Sequence, residues 1–181
     1  IDTFRSSVAA RAIHKYGKVI INDISAGELD PLIVDVAAEH DVPYVAMHMK
    51  GDPRTMQSMT DYRDIVAEVV DYFRERTAQL RERGVRRIVV DPGFGFAKTL
   101  EQNYELLRGL HRLAELGYPV LAGVSRKSMI YKLIGTTPAE ALNGTTALHW
   151  ECLRQGAVIL RAHDTREAVE VVRMFDQFMQ A

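Results

Sequence analysis

The alternation of short β-branched runs with helix-length amphipathic stretches, from one end to the other, most constrains how this chain can fold. The strand candidates are residues 18–22, 43–48, 87–91, 119–125 and 157–163, and Ile1-Asp2-Thr3 reads as the end of one more. Runs this apolar, spaced by helices, suit a parallel sheet covered by helices. Two α/β architectures meet that description: a doubly wound sheet and a (β/α)8 TIM barrel. A barrel takes about 250 residues at about 30 per unit. With 181 residues, this chain is short of a full barrel by roughly two strand–helix units, so it reads either as a doubly wound sheet or as a partial barrel lacking two units. No linker divides it, so residues 1–181 read as one domain.

Helix boundaries have chemical reasons. Asp30-Pro31 supplies a cap and a first-turn proline. Thr99-x-x-Gln102 and Thr137-Pro138-x-Glu140 are capping-box patterns, closed by Gly117 and Gly156. Asp164 with Glu167 opens the last helix. The longest helix, predicted over 61–83, carries Ile65, Val66, Val69, Val70 and Phe73 on one face before Gly84.

Charge and cysteine usage narrow the partners. Twenty-three basic and 24 acidic residues leave a net charge of -1, which argues against nucleic acid or an anionic membrane recruited by bulk charge. Cys152 is the single cysteine, so no internal disulfide forms and a reducing, cytoplasmic setting is expected. No apolar run approaches the roughly 20 residues of a membrane span, and the first five residues are not a signal peptide.

Each strand candidate ends in a residue with chemistry: Asp2, Asn22, Met47 and His48, Asp91, Ser125, then Arg161 and His163. In both architectures ligands bind beyond the carboxyl ends of the strands. Alternation places Ile159, Arg161 and His163 on one face and Val158, Leu160 and Ala162 on the other, which should meet the helices. The same parity turns Asn22, Met47, Asp91, Gly123 and Ser125 inward. Asp2, Asn22 and Asp91 together suit an N–H-rich heterocycle, and Gly123 leaves room for a flat ring.

Arg161-x-His163 suits a phosphate or pyrophosphate, or else an ion pair with Asp164. Ser125-Arg126-Lys127-Ser128 opens a short helix over 127–134; Lys127 is an anion donor there, or a Schiff-base nucleophile. In Asp91-Pro-Gly-Phe-Gly-Phe-Ala-Lys98, Phe94 or Phe96 either stacks on a ligand or packs in the core. The loop over 50–60 is long enough to close over the mouth. His14, His40 and His149 sit on helical or loop positions, and with His48, His111 and one cysteine there is no zinc spacing.

These motifs, in order, resemble the dihydropteroate synthase family: Ile1-Asp2-Thr3, Ile21-Asn22-Asp23, Met47-His48-Met49, Asp91-Pro92-Gly93-Phe94-Gly95-Phe96, Gly123-Val124-Ser125-Arg126-Lys127-Ser128 and Arg161-Ala162-His163-Asp164. The resemblance implies a (β/α)8 barrel that condenses 6-hydroxymethyl-7,8-dihydropterin pyrophosphate with p-aminobenzoate. It implies Mg2+ and a homodimer through the last helices. It puts Asp2, Asn22, Asp91 and Lys127 on the pterin, with Met47 and Gly123 lining its slot, and counts Ser125 among the substrate-binding residues. Arg161 and His163 would grip the pyrophosphate, and Phe96, Lys127 and Ser128 would neighbour the aminobenzoate. Asp2, Asp91, Lys127, Arg161 and His163 form the expected catalytic set.

Two departures stand out: Ala97 replaces a family glycine, and the chain matches family strands three to eight. The family's Mg2+-binding asparagine and Thr-Arg-Pro loop lie upstream of that match, so residues 1–181 alone are expected to bind pterin weakly and condense little. A pterin-binding methyltransferase domain, a Schiff-base aldolase at Lys127 and a non-catalytic pterin-binding protein are the competing readings.

Overall fold

The structure, a computed structural model, describes residues 1–51, 54–55 and 58–180. Among them are strands β1 (Ile21–Asp23), β2 (Tyr44–Met47), β3 (Ile88–Asp91), β4 (Leu121–Ala122) and β5 (Ile159–Leu160). β1 pairs with β2, β2 with β3 and β4 with β5, all parallel. Single parallel bridges, Asp2 to Asn22 and Val90 to Val120, extend the ladder before β1 and join β3 to β4. Spatial order therefore follows sequence order without reversal. A doubly wound sheet reverses at its switch point; this one does not.

Register separates two apolar layers. Met47 lies opposite Asp91, and Val45 lies opposite both Asn22 and Val89. Val45, Val89 and Leu121 form a small cluster of their own on this face. Ile21, Tyr44, Ala46, Ile88, Val90, Val120 and Ala122, on the opposite alternation, join the main core with the helices. The period-two reading of the strand faces thus holds for β1 to β4. On the last strand it fails at Val158, which is 66% exposed rather than packed on a helix, because β5 pairs on one side only among the described residues. Ile20 (54%) and Ile159 (37%), on the alternation of Asn22 and Arg161, are also exposed.

The helices are α1 (Ser6–Tyr16), α2 (Leu32–Glu39), α3 (Ile65–Glu82), α4 (Leu100–Arg108), α5 (His111–Ala114), α6 (Ser128–Tyr131), α7 (Leu142–Arg154) and α8 (Thr165–Gln180). Several boundaries correct the sequence reading. α3 begins at Ile65, not 61, because Asp64 caps it by accepting the Ala67 N–H at 2.9 Å. The Thr99–Gln102 capping box forms, but the helix it opens breaks at Gly109, where a Cβ would lie 2.7 Å from the Val66 methyls. Close approach of α3 requires that glycine.

The second capping box does not form. The Thr136 and Thr137 hydroxyls donate to Glu140 (2.7 and 3.0 Å), and a 3-10 turn, Pro138–Glu140, precedes α7. The helix expected over 127–134 is only Ser128–Tyr131. Strands are also shorter than predicted, β1 and β3 at their starts and β2, β4 and β5 at both ends. On α7 the lone Trp150 stacks edge-on against Phe175 (5.3 Å) and Phe178 (5.6 Å) of α8. No described helix is long and apolar enough to cross a membrane.

Candidate active site

The carboxyl ends of the strands collect the polar residues. Asp91 closes β3 and is buried. Its Oδ1 accepts the Gly93 N–H at 2.8 Å; among the described residues Oδ2 accepts no hydrogen bond. Burial pushes its pKa up, against Lys127, the Gly93 N–H, Lys98 and Arg161, which favour the carboxylate. The turn that follows is held tightly to β2. Gly93 has φ +69°, and a Cβ there would stand 2.1 Å from the His48 carbonyl oxygen. Gly93→Ala should therefore cost at least about 1–3 kcal/mol, read as a lower urea midpoint; an unchanged midpoint would mean the turn is free to shift.

Lys98 ties the turn together from below. Its buried ammonium donates to Gly93 O (3.0 Å), Phe96 O (2.9 Å) and His48 Nδ1 (3.1 Å), one acceptor for each N–H. His48 must then carry its ring proton on Nε2. Burial, with Lys98 and Lys50 nearby, holds the His48 pKa well below the ordinary value. Burial lowers Lys98 to about 7; Asp91 opposes the shift and Lys127 and Lys50 add to it.

A lysine depressed in the folded state binds its proton less tightly there than when unfolded. Its contribution to stability therefore rises with pH between about 7 and the unfolded value of 10.5. The slope reaches at most about 1.4 kcal/mol per pH unit. Urea unfolding of wild type and Lys98→Met from pH 6 to 10 should show a difference that changes across this window. Parallel curves would exclude titration of Lys98.

Lys127 reaches the same turn from the far side. Its ammonium donates to the Phe94 carbonyl and lies 4.8 Å from the centroid of the Phe96 ring. Burial lowers its pKa to about 8; Asp91 opposes this and Arg161 reinforces it. Phe94 is a core residue and Phe96 is half-buried, so of the two aromatic candidates Phe96 is the one that faces the site.

Arg161 donates to Asp2 Oδ2 at 2.8 Å, linking the last strand's end to the first bridge. The Asn22 amide donates to Asp2 Oδ1, while Asn22 Oδ1 is buried with no partner among the described residues. Ser125 Oγ accepts the His163 N–H at 3.1 Å and lies 2.9 Å from His163 Nδ1. Asp164 does not pair with Arg161 or His163; both its oxygens hold Arg126 at 2.8 Å.

Gly123, Ser125, Lys127, Arg161, Ala162 and His163 line a cleft of about 150 Å³. Asp2 and Asn22 line a neighbouring hollow with Thr3, Phe4, Arg5 and Ile24. Met47 is buried at the end of β2, opposite Asp91. Ser128 opens instead on a cavity of about 310 Å³ with Gly95, Lys98 and Lys132. Gly123 has room, since a Cβ there would be 3.9 Å from its nearest neighbour, the Arg161 Cβ.

The expected site residues thus cluster at one end of the sheet, distributed over a cleft, a hollow and a side cavity. Residues 52, 53, 56 and 57 of the predicted closing loop lie outside the described residues. Its base is tethered by Lys50, which donates to Asp61 O (2.6 Å), pairs with Glu68 (3.1 Å) and sits 3.6 Å from the Tyr62 ring centroid.

Sequence reasoning placed His48 at a strand end but missed Lys98 and Arg126 as site-building groups. The available signal was the lysine that closes the glycine-rich turn seven residues after Asp91. Asp23, also passed over, is a buried carboxylate held by Ser25 N–H (2.8 Å), Ser25 Oγ (2.7 Å), Gly27 N–H (2.7 Å) and Tyr44 OH (2.6 Å). It shapes the turn after β1 from within.

Residues 1–163 match the family model described as pterin binding enzyme. The chain is 42% identical over 179 residues to the dihydropteroate synthase of Synechocystis, covering 97% of this chain and 62% of that protein. It thus spans less than two thirds of that relative's length. The crystal structure of dihydropteroate synthase from Thermus thermophilus in complex with 4-aminobenzoate superposes with a TM-score of 0.92 at 40% identity, covering 97% of this chain and 68% of that one. The enzyme from Xanthomonas albilineans in complex with 7,8-dihydropteroate superposes with a TM-score of 0.89 at 39% identity, covering 99% and 66%.

Proposed function

This chain belongs to the pterin-binding enzyme family, and from that membership we propose that it acts as a dihydropteroate synthase. The reaction joins the pterin methylene of 6-hydroxymethyl-7,8-dihydropterin pyrophosphate to the amine of p-aminobenzoate and releases pyrophosphate. The observation that carries this reading is the pairing of two opposite chemistries at one sheet end. A cleft bearing Lys127, Arg161 and His163 lies beside acceptors, Asp91 Oδ2 and the unpartnered Asn22 Oδ1.

The acceptors suit the N–H edge of a pterin, and a carboxylate there favours the cation that develops when the C–O bond breaks. Arg161, His163 and Lys127 take the negative charge that gathers on the leaving pyrophosphate. Burial lowers the Lys127 pKa only to about 8, so its ammonium remains largely protonated at pH 7. Phe96, under the Lys127 ammonium, offers a face for the aromatic amine. The arylamine then attacks the methylene and loses its proton. A methyltransferase has no pyrophosphate to release and would leave the cleft of Lys127, Arg161 and His163 without an anion to hold.

The resemblance also implies Mg2+. No three His, Cys, Asp or Glu side chains converge among the described residues, so these do not by themselves make a site for it. The six strand ends form, in this reading, an arc of a (β/α)8 barrel. Ile20 and Ile159, on the inward alternation of this arc, are exposed. The apolar face of α8, with exposed Met174, Phe178 and Met179, suits the homodimer contact. The single buried cysteine suits a reducing cytoplasm.

The test is direct. The intact protein, given both substrates, should release pyrophosphate and form 7,8-dihydropteroate in equal amounts. Binding of pterin with no pyrophosphate released would overturn the assignment.

A further inference from the structure

We propose that the Arg126–Asp164 ion pair sets the width of the anion cleft, which makes both of them positioning residues for the departing pyrophosphate. The proposal rests on the reading of the cleft given above. Every residue lining the cleft comes from one of two segments: Gly123, Ser125 and Lys127 follow β4, and Arg161, Ala162 and His163 follow β5. The cleft is the gap between these strand ends.

Arg126 lies between two lining residues yet does not line the cleft itself. It holds φ +53°, a conformation uncommon for a residue with a Cβ, and its N–H donates to Thr145 Oγ1 of α7 at 3.0 Å. Its guanidinium meets Asp164 in two bonds, Nε to Oδ2 and Nη2 to Oδ1, both 2.8 Å. Nη1 donates to the carbonyls of Pro138 (2.7 Å) and Ala139. One side chain thus joins the β4 segment, the β5 segment and the turn before α7.

The bidentate pair is only 21% and 20% exposed, unlike the mobile surface pairs that contribute little. On the cleft side the same two segments meet through Ser125 and His163. Their separation is therefore fixed on both flanks. A diphosphate needs donors from both walls at once, Lys127 on one and Arg161 on the other, and a fixed gap holds those donors ready before the anion arrives.

In the intact protein, Arg126→Met, Asp164→Asn and the double variant would be titrated calorimetrically with inorganic pyrophosphate and with 6-hydroxymethylpterin. Turnover would be measured alongside. Each single change should lower pyrophosphate affinity and kcat about tenfold, with the double variant no worse than the worse single, as for two halves of one interaction. Pterin affinity and the KM for the arylamine should stay within about twofold. Asp164→Asn keeps the side-chain shape, so it decides the question by itself if Arg126→Met does not fold. Unchanged pyrophosphate affinity in Asp164→Asn, additive losses in the double variant, or equal losses for pterin and pyrophosphate would each overturn the clamp. Wild type that binds no pyrophosphate would instead overturn the reading of the cleft, before any variant is compared.

Discussion

Alanine in place of Arg161 or His163 should lower turnover by about 10²-fold or more, the range expected when a donor aimed at developing negative charge is lost. Both residues line the cleft, on alternate positions after β5. Negative charge on the pyrophosphate oxygen grows as the C–O bond breaks, so their effect belongs to the transition state more than to the bound substrate. Affinity for a pterin without the pyrophosphate should barely change. Arg161 also donates to Asp2, so Arg161→Ala should weaken pterin slightly more than His163→Ala. Titration of both variants with 6-hydroxymethylpterin and with the pyrophosphorylated substrate checks the assignment. Equal weakening of the two ligands would show that these residues shape the pocket generally.

Asp91→Asn should cost more pterin affinity than Phe96→Ala. The carboxylate is buried and only one oxygen is engaged. An amide offers one acceptor and one donor, so a ligand N–H edge meets a mismatched group at a cost of about 1–3 kcal/mol, roughly 5- to 150-fold. Phe96 is half-buried and contributes contact area that neighbours partly replace. pH separates the two roles as well. Burial raises the Asp91 pKa above its ordinary 3.8, and in the proposed role the ionised form is the one that accepts the pterin N–H edge. Wild-type affinity should therefore decline as pH falls toward that raised value, beginning above the ordinary carboxylate range. In Asp91→Asn this acid limb should vanish, and in Phe96→Ala it should remain. An acid limb retained by Asp91→Asn would assign it to another group.

The parts legible in the sequence are those that depend on backbone periodicity. Strand alternation turned Met47 and Asp91 to one face, and they do lie opposite each other there, above the Val45, Val89 and Leu121 cluster, because successive side chains must point to opposite sides. The Thr99–Gln102 box was legible because both partners lie within one turn. What escaped depends on acceptors that only folding brings together. Lys98 is defined by groups at positions 48, 93 and 96, and the glycines and phenylalanines of its turn gave no hint of the first. Arg126 is defined by Asp164, Pro138 and Ala139; the sequence suggested Arg161 or His163 as the aspartate's partner because they are nearer in the chain. The break at Gly109 follows from Val66, 43 positions earlier, which no helix propensity could reveal.

Strand order that follows chain order has a kinetic consequence. Each strand can dock on the one made just before it, so most of the ladder closes short loops, the entropically easy kind. The Asp2–Arg161 pair spans 159 positions, the widest ion-pair separation among the described residues. The acid proposed for the pterin and the base proposed for the pyrophosphate therefore meet late, after the rest of the sheet is laid down. Binding competence should be the last property to return on refolding: Trp150 fluorescence, which reports the α7–α8 contact, and pterin affinity, which reports the finished mouth, are expected to recover in that order.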